Sequence, residues 1–410
     1  MGRIKSIGLV PKLIIAIALG VIAGAYLPVG IIRVAVTFSK IFGSFLSFII
    51  PLMILAFVTK GISDLGEGAG KLLGITVLIS YLSTLLAGSL SYIMASNIFP
   101  KFISSEQVDA IVSSNADKLE PYFTVPLTPF FDVTGALIFA FMMGISISWL
   151  RSKESGEVLY KAVSEFNTII VKVLEVAIIP ILPFFIFGNF AEMSYLGSVR
   201  AVLGIFWKIF ICIIILHLVY VTFMFIISGA YTGKNPFAMI KNEFKGYMTA
   251  VGTQSSAATI PVNLQCAANN GVSREIADFV VPLGATVHLP GSMITLTGCI
   301  FTILYMYDLP HSFDLIISLI VTLGIAMVAA PGAPGGAVMS ALPFLPMVGI
   351  APESAMAGLL ISLYLTQDSF GTAANISGDV AIANAVDKIY NKIILGNKNW
   401  KPIPVIKNPK

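Results

Sequence analysis

Long apolar stretches separated by short charged segments run along most of the chain. A helix needs roughly 20 apolar residues to cross the hydrocarbon core of a bilayer, and eight stretches are of about this length or longer. Their approximate ranges are 8–28, 34–58, 71–97, 133–150, 163–190, 200–229, 277–307 and 352–386. Several exceed the minimum or contain proline, which indicates tilted or kinked helices. The pattern predicts an all-α polytopic membrane protein with eight transmembrane helices.

Two further segments have a pattern that does not suit a crossing. Residues 247–270 are too polar in the middle for a helix that faces lipid, and residues 315–350 are interrupted by A-A-P-G-A-P-G-G-A. Backbone that leaves helical geometry at membrane depth is tolerated only where protein or a water-filled cavity surrounds it. Both segments are therefore predicted to be re-entrant helical hairpins, at about 241–270 and 315–350, with distorted ordinary helices as the alternative. Paired broken segments favour a transporter with its substrate site between them.

The charged segments give an orientation. Basic residues precede span one and follow spans two, four, six and eight, whereas the loop 101–132 has mixed charge. Because basic loops face the cytoplasm, both termini are expected there, in a multi-pass protein of the cell (inner) membrane. The composition agrees, since only 11% of the residues are charged, against roughly 25% in soluble proteins. A net charge of +4 with no basic run argues against nucleic-acid binding.

The last span carries a polar stripe. Asp368, Thr372, Asn375 and Asp379 recur at helical spacing and so share one face. An aspartate at the bilayer centre costs about 2.5–3.5 kcal/mol on insertion scales, so two on one face indicate a functional site. Carboxylate, amide and hydroxyl oxygens suit a small cation such as Na⁺, or an ammonium group. A purely structural role inside the helix bundle is the alternative.

Three other segments supply complementary groups. The tip of the first hairpin, T-Q-S-S-A-A-T (253–259), and that of the second, G-A-P-G-G (332–336), offer free backbone N–H groups to an anion. In span seven, P-L-G-A-T-V-H-L-P-G-S (282–292) predicts that the helix unwinds near His288. Amides that bind an anion and oxygens that bind a cation together fit a zwitterion. His217 is interpreted as a packing residue.

These motifs resemble, in the same order, those of the glutamate-transporter-like family of sodium-coupled dicarboxylate and amino acid symporters. S-S-A-A-T-I-P-V resembles the serine-rich first hairpin tip of the family, and H-L-P-G-S its N-M-D-G-T break in span seven. Q-D-S-F-G-T-A-A-N-I-S-G-D resembles its motif in span eight. The resemblance covers about 240–390 well, and the earlier part mainly in layout.

The resemblance implies an inverted-repeat elevator transporter fold and a homotrimer in membrane lipid. A transport domain would slide against a scaffold made of spans one, two, four and five. The implied parts are 1–70 and 101–199 (scaffold), 71–100 and 200–395 (transport domain), and 396–410 (cytoplasmic tail).

The resemblance also implies residue roles. Asp368 resembles the residue that binds the substrate amino group, and Thr372, Asn375 and Ser256 resemble its other polar contacts. The remaining substrate-binding positions that it implies are Gln254, Ser255, Ser292, Ala333, Gly335 and Gly371. Asp379, with main-chain carbonyls of Gly284, His288 and Asn375, resembles one Na⁺ site, and the Thr286 carbonyl contributes to another. Tyr81 and Thr84 resemble span-three residues of a third.

Departures from the family pattern bear on the substrate and the coupling ion. Gly371 and Gln254 stand where different members place the arginine for a second substrate carboxylate. A small neutral amino acid (serine, threonine or alanine) is therefore the predicted substrate of a Na⁺-coupled symporter. His288 and Pro290 replace the amide and the carboxylate of the third Na⁺ site, which is expected to be weak or absent. No enzyme activity is expected.

Several alternatives remain open from the sequence. They are an acidic amino acid or dicarboxylate symporter, a proton-coupled carrier that uses His288, a channel, and an intramembrane aspartyl protease. In the protease, Asp368 and Asp379 would have to share a proton, but helical rise separates them by about 16 Å.

Overall fold

The computed structural model describes residues 9–64, 70–116, 119–131, 133–327, 335–397 and 401–406. Within these ranges all regular secondary structure is helical. The helices are α1 (Leu9–Tyr26), α2 (Val29–Asp64), α3 (Gly70–Ile98), α4 (Ser105–Ala116), α5 (Val133–Arg151), α6 (Glu157–Val173), α7 (Ile179–Tyr195), α8 (Val199–Thr232), α9 (Pro236–Thr253), α10 (Ser256–Asn269), α11 (Arg274–Val287), α12 (Pro290–Met306), α13 (Phe313–Ala326), α14 (Gly336–Ala341) and α15 (Ala355–Ile389). The all-α architecture is confirmed.

Length and composition identify the candidate crossings. Five segments in the described ranges are long and apolar enough to span a membrane: Val29–Ser63, Lys71–Lys101, Glu157–Tyr195, Val199–Thr232 and Arg274–Met306. α15 has 35 residues but is not among these five, because its polar residues lower its mean hydropathy. Eight crossings therefore stay a prediction.

The predicted break in span seven is confirmed. α11 ends at Val287 and α12 begins at Pro290, so His288 and Leu289 lie between them in non-helical conformations. Proline at the first position of α12 is favourable, because the first N–H of a helix has no intrahelical partner. The segment predicted to form the first hairpin folds as two helices that pack on each other, α9 and α10, and its re-entry into the membrane stays a prediction.

Two regions differ from the sequence prediction. α4 lies inside the segment predicted to be a polar loop. The second arm of the second hairpin is not one α-helix, because the short α14 continues as a 3₁₀ helix over Leu342–Val348. Pro343 and Pro346 within this stretch cannot donate the hydrogen bonds of an α-helix.

Pro51, Pro180 and Pro183, which lie within predicted spans, are expected from the sequence to kink their helices. A π turn at Leu174–Ile178 joins α6 and α7 just before Pro180. The other two, Pro51 and Pro183, lie inside α2 and α7, and both helices continue through them.

The helices pack in two groups. α1, α2, α5, α6 and α7 pack mainly on one another, whereas α3, α8 to α12 and α14 contact α15, and α13 packs on α3. The groups meet where α2 and α7 contact the second hairpin and α15. Ser47 of α2 bonds there to Glu353, which precedes α15.

Hydrogen bonds connect the ends of the first hairpin to the α8–α9 connection, α15 and the C-terminal segment. Lys234, in the α8–α9 connection, donates to the carbonyls of Asn270 and Gly271 and to Oδ1 of Asn384. Burial lowers the pKa of the Lys234 ammonium to about 8, against the opposing effect of the Asp387 carboxylate. The backbone N–H of Ile406 donates to the Asn269 carbonyl. These contacts fix the base of the hairpin.

Close helix packing in the first group depends on glycine. A Cβ atom on Gly24 of α1 would lie 2.2 Å from the carbonyl oxygen of Ala191 and 2.6 Å from Cβ of Ser194, both on α7. Backbone at this distance cannot move aside cheaply. Gly74 of α3 differs, because a Cβ atom added there would have no neighbouring atom within 4 Å.

We expect Gly24→Ala to lower the free energy of unfolding by about 1–3 kcal/mol, as overpacking does in other cores. Gly74→Ala should be neutral or stabilise by up to about 1 kcal/mol, because alanine favours helix. Thermal unfolding of the purified protein in detergent compares the two. Equal stability of both variants would contradict the packing described for α1 and α7.

Candidate functional site

The polar stripe of α15 lies at the centre of the second helix group. Asp368, Thr372, Asn375 and Asp379 are each at most 6% exposed. α15 packs against α8, α9, α10, α11 and α12, so these side chains face protein rather than lipid. The site is built where the stripe meets the α11–α12 break and the two hairpins.

Asn375 satisfies the backbone of the break. Its Oδ1 accepts the N–H groups of Gly291 (2.8 Å) and Ser292 (3.2 Å), and its Nδ2 donates to Oγ of Ser292 at 2.9 Å. These N–H groups belong to the first turn of α12, where no intrahelical carbonyl reaches them. One side chain of α15 thus holds the start of α12.

Two more side chains bond to the break. Nε2 of His217 lies 2.9 Å from the Gly291 carbonyl and 3.1 Å from Oγ1 of Thr295. Oγ1 of Thr84 accepts the Leu289 N–H at 3.3 Å. The break is therefore held from α3, α8 and α15 together, and His217 has a defined bonding role there beyond packing.

His288 joins α15 to α3 and α8. Its Nδ1 lies 2.9 Å from Oδ1 of Asp379, and its Nε2 lies 2.9 Å from Oγ of Ser83. The Tyr220 hydroxyl of α8 extends this hydrogen-bond network by donating to the Ser83 carbonyl at 2.6 Å. With Asp379 ionised, Nδ1–H of His288 donates a hydrogen bond to it, and Nε2 of the neutral ring accepts a hydrogen bond from the Ser83 hydroxyl. Neutral imidazole then satisfies both contacts.

The surroundings of Asp379 suit a sodium ion. Its Oδ2 has no hydrogen-bond partner among the described residues and is buried, so one carboxylate oxygen remains for a cation. A Cβ on Gly284 would lie 2.6 Å from Oδ1 of Asp379, so glycine is what lets the carboxylate approach the α11 backbone. A carboxylate oxygen near the C-terminal end of a helix, where the last carbonyls lack intrahelical partners, belongs to the oxygen donors that hard cations such as Na⁺ prefer.

Asp368 contacts the second hairpin. Its Oδ2 accepts the N–H of Gly335 at 2.7 Å. Gly335 has a φ of +77°, in the left-handed region that glycine adopts without strain. Ser292, another predicted contact, is buried one helix away. Ala333 lies outside the described residues.

The tip of the first hairpin is held by its own polar residues. Gln254 has a φ of +54° and ends α9, and Oγ of Ser255 accepts the Ala258 N–H to cap α10. Ser256 begins α10 and is buried. Below the tip, Ala250 packs with Ala373 and Ile376 of α15, which places the hairpin along the stripe.

One predicted ion-site residue does not bond to the break. The Tyr81 hydroxyl donates to the Val321 carbonyl of α13, whereas its neighbour Thr84 reaches the break. The Thr286 side chain is exposed and bonds to the Leu283 carbonyl, and the role of its main-chain carbonyl stays a prediction. Gly371 lies against α12, where a Cβ would meet the Gly291 carbonyl at an ordinary 3.4 Å.

The structure adds polar residues that the sequence analysis does not assign to the site. Ser83 and Tyr220 bond to the His288 network, and Glu243 of α9 receives a hydrogen bond from Ser377 beside Asp379. A charged residue inside a hairpin predicted to lie in the membrane is a signal that could have identified Glu243.

Comparisons with known proteins show what the chain is similar to. The model of the sodium:dicarboxylate symporter family matches residues 9–389. The chain is 29% identical over 291 residues to excitatory amino acid transporter 1 of Ambystoma tigrinum, covering 66% of this chain and 52% of that protein. It is 29% identical to human excitatory amino acid transporter 5, covering 64% and 46% respectively. An excitatory amino acid transporter of Caenorhabditis elegans is 26% identical, covering 70% and 57%. The chain thus spans about half the length of these relatives.

We expect Asn375→Ala to lower the free energy of unfolding by about 1–3 kcal/mol, because buried N–H groups of Gly291 and Ser292 lose their acceptor. Ser292→Ala removes only the hydroxyl that accepts from Asn375 and should cost about 1 kcal/mol. Thermal unfolding without substrate measures both. An Asn375→Ala protein as stable as the parent would show that α12 does not depend on this side chain.

Proposed function

Because the chain belongs to the sodium:dicarboxylate symporter family, we propose that it is a Na⁺-coupled symporter that imports a small neutral amino acid of the serine, threonine or alanine type. The observation that carries this proposal is the buried stripe of α15. Its two carboxylates face a broken helix and a hairpin, and neither pairs with a lysine or arginine among the described residues.

Asp368 is the proposed partner of the substrate amino group. It is buried, and it accepts the backbone N–H of Gly335. A substrate ammonium would neutralise the carboxylate, which would otherwise be an uncompensated charge in the protein interior. The substrate carboxylate would bind N–H groups at the hairpin tips and side chains including Ser256, Thr372 and Asn375.

The neutral side chain of the proposed substrate follows from Gly371 and Gln254. A second substrate carboxylate would have no basic side chain at either position, and burial of an unpaired charge costs several kcal/mol. The relatives are named for excitatory amino acids, and the family for dicarboxylates. A substrate with two carboxylates is therefore the second candidate.

Sodium is the proposed coupling ion, with Asp379 as its carboxylate ligand. Support comes from the unpartnered Oδ2 of Asp379 and from the close approach of Gly284. A proton carried by His288 is the alternative. The fixed contacts of both His288 nitrogens, to Asp379 and Ser83, favour a positioning role for the ring.

Movement of one helix group against the other is the proposed transport step. Support comes from the division of the helices into two packing groups that meet over a limited set of helices, although α4, in the range assigned to the scaffold, packs on α8 and α12. We also propose a homotrimer with both termini in the cytoplasm. Exposed apolar side chains on α5, such as Ile138, Met142 and Ile145, would face lipid or neighbouring protomers.

Uptake of labelled serine, threonine, alanine and aspartate into proteoliposomes tests the proposal. We expect an imposed Na⁺ gradient to drive concentrative uptake of a neutral amino acid, and Asp379→Asn to reduce it at least about tenfold because a ligand charge is lost. Uptake driven by a proton gradient in Na⁺-free buffer would contradict the ion assignment. Downhill flux alone would indicate a channel.

A substitution at Gly371 tests substrate selectivity. A Cβ at this position would lie 3.4 Å from its nearest atoms, on α12, and Gly371→Arg introduces a cation where the resemblance places one. We expect the ratio of kcat/KM for aspartate over serine to rise by about tenfold or more, equivalent to about 1.4 kcal/mol. Gly371→Ala, which adds volume without charge, is the control. An unchanged ratio in Gly371→Arg would contradict the explanation of selectivity.

A further inference from the structure

A second group of buried oxygens lies between the first hairpin and α15. Glu243 of α9 is 2% exposed and Asn263 of α10 is 1% exposed. Oε1 of Glu243 accepts the Ser377 hydroxyl at 3.3 Å. The three residues come from three helices, and none of them belongs to the Na⁺ sites that the resemblance implies.

One oxygen of Glu243 and one of Asn263 converge on the α9 backbone at Gly246. A Cβ on Gly246 would lie 2.5 Å from Oε1 of Glu243 and 3.0 Å from Oδ1 of Asn263, so both atoms face the same small volume over the α9 backbone. Oε2 of Glu243 and Oδ1 of Asn263 have no nitrogen or oxygen hydrogen-bond partner in the described part of the chain, and the Cys266 thiol of α10 lies within hydrogen-bonding reach of the Glu243 carboxylate. The Asn263 amide is oriented by Nδ2, which donates to the Ile376 carbonyl at 2.8 Å.

An ionised Glu243 would have no compensating cation among the described side chains. No described lysine or arginine forms an ion pair with it, and its partner Ser377 lies two residues from a second buried carboxylate, Asp379. Burying two like charges without a counter-ion costs far more than losing a hydrogen bond. A cation bound among the unpartnered oxygens would remove this cost.

We propose that Glu243, Asn263 and Ser377 form a Na⁺ site distinct from the one at Asp379. The donors are carboxylate, amide and hydroxyl oxygens, the set that hard cations prefer over transition metals. The site rests on the proposed Na⁺-coupled function. The family pattern has a carboxylate in span seven where this chain has Pro290. Glu243 would supply a carboxylate at a different place, between the first hairpin and α15.

Such an ion would couple the hairpin to α15. Glu243 and Asn263 lie on the two arms of the hairpin, α9 and α10, and Ser377 lies on α15, two residues from Asp379. An ion held by all three elements would keep the arms together and against the stripe. Opening of the hairpin would then require release of this ion.

Na⁺ binding to the purified protein tests the site without relying on transport. We expect Glu243→Gln, which keeps the size of the side chain and an oxygen for Ser377, to bind one Na⁺ fewer in equilibrium binding of ²²Na⁺. In Na⁺-dependent thermal stabilisation, with choline replacing Na⁺, the half-saturating concentration should rise about tenfold or more because the ligand charge is lost. Ser377→Ala should cause a smaller rise.

Glu192→Gln is the matched control. Glu192 is also a buried glutamate, 5% exposed, but it lies on α7 and accepts the Leu119 N–H. Na⁺ binding by this variant should equal that of the parent. Unchanged Na⁺ number and affinity in Glu243→Gln would overturn the proposal and leave Glu243 as a neutral carboxylic acid.

A second variant covers the case in which Glu243→Gln does not fold. Asp379→Asn should lose one bound Na⁺ and retain the ion at Glu243, whereas loss of all Na⁺ binding would overturn a distinct site. Failure of the proposed function would be distinguishable from either result. In that case vesicles would show no amino acid uptake while Na⁺ binding kept its dependence on Glu243.

Discussion

Breaking a helix at membrane depth leaves backbone N–H and C=O groups that lipid cannot satisfy, and the rest of the site is arranged around one such break. Asn375 accepts the N–H groups at the start of α12, His217 bonds to the Gly291 carbonyl, and Thr84 accepts the Leu289 N–H. These three side chains come from α15, α8 and α3. Satisfying the break therefore fixes the mutual positions of the helices that carry the ionisable groups.

The same constraint explains where charge is found. Three acidic side chains of the second helix group (Glu243, Asp368 and Asp379) are buried, and each has oxygens bonded to a neighbour. Their compensation comes only in part from protein donors. A transporter needs this condition, because a site whose carboxylates were fully neutralised by lysine or arginine would have little affinity for Na⁺ or an ammonium group. In the proposed function, the remaining charge would be balanced by the bound cation and the substrate ammonium.

Much of the second half of the fold could be predicted from local sequence. The dense glycine and proline of 282–292 end a helix whatever surrounds them, and a stripe at helical spacing shares a face on any helix. The missed helix α4 also had a local signal, since Ser104 and Gln107 form a capping box with hydrogen bonds in both directions. α4 contains few apolar residues, so a search for membrane spans by hydropathy does not detect it.

The rest depends on contacts between residues distant in sequence. Ser83 and Tyr220 are separated from His288 by 205 and 68 positions, so no spacing rule relates them to it. Tyr81 and Thr84 lie on the same helix but bond to different elements, Tyr81 to α13 and Thr84 to the break. Packing between helices decides this difference. Local patterns determine which residues share a face, but not which faces meet.

Pro290 gives this arrangement an evolutionary consequence. It occupies the first position of α12, where a backbone N–H has no intrahelical partner and proline therefore loses no hydrogen bond. An acidic residue is also favourable at this position, because it lies at the positive end of the helix dipole. A lineage could therefore exchange proline and aspartate here without rebuilding the fold. Single substitutions could then change the number of ions moved per substrate. The helix packing, which would determine the route of the substrate, would stay the same.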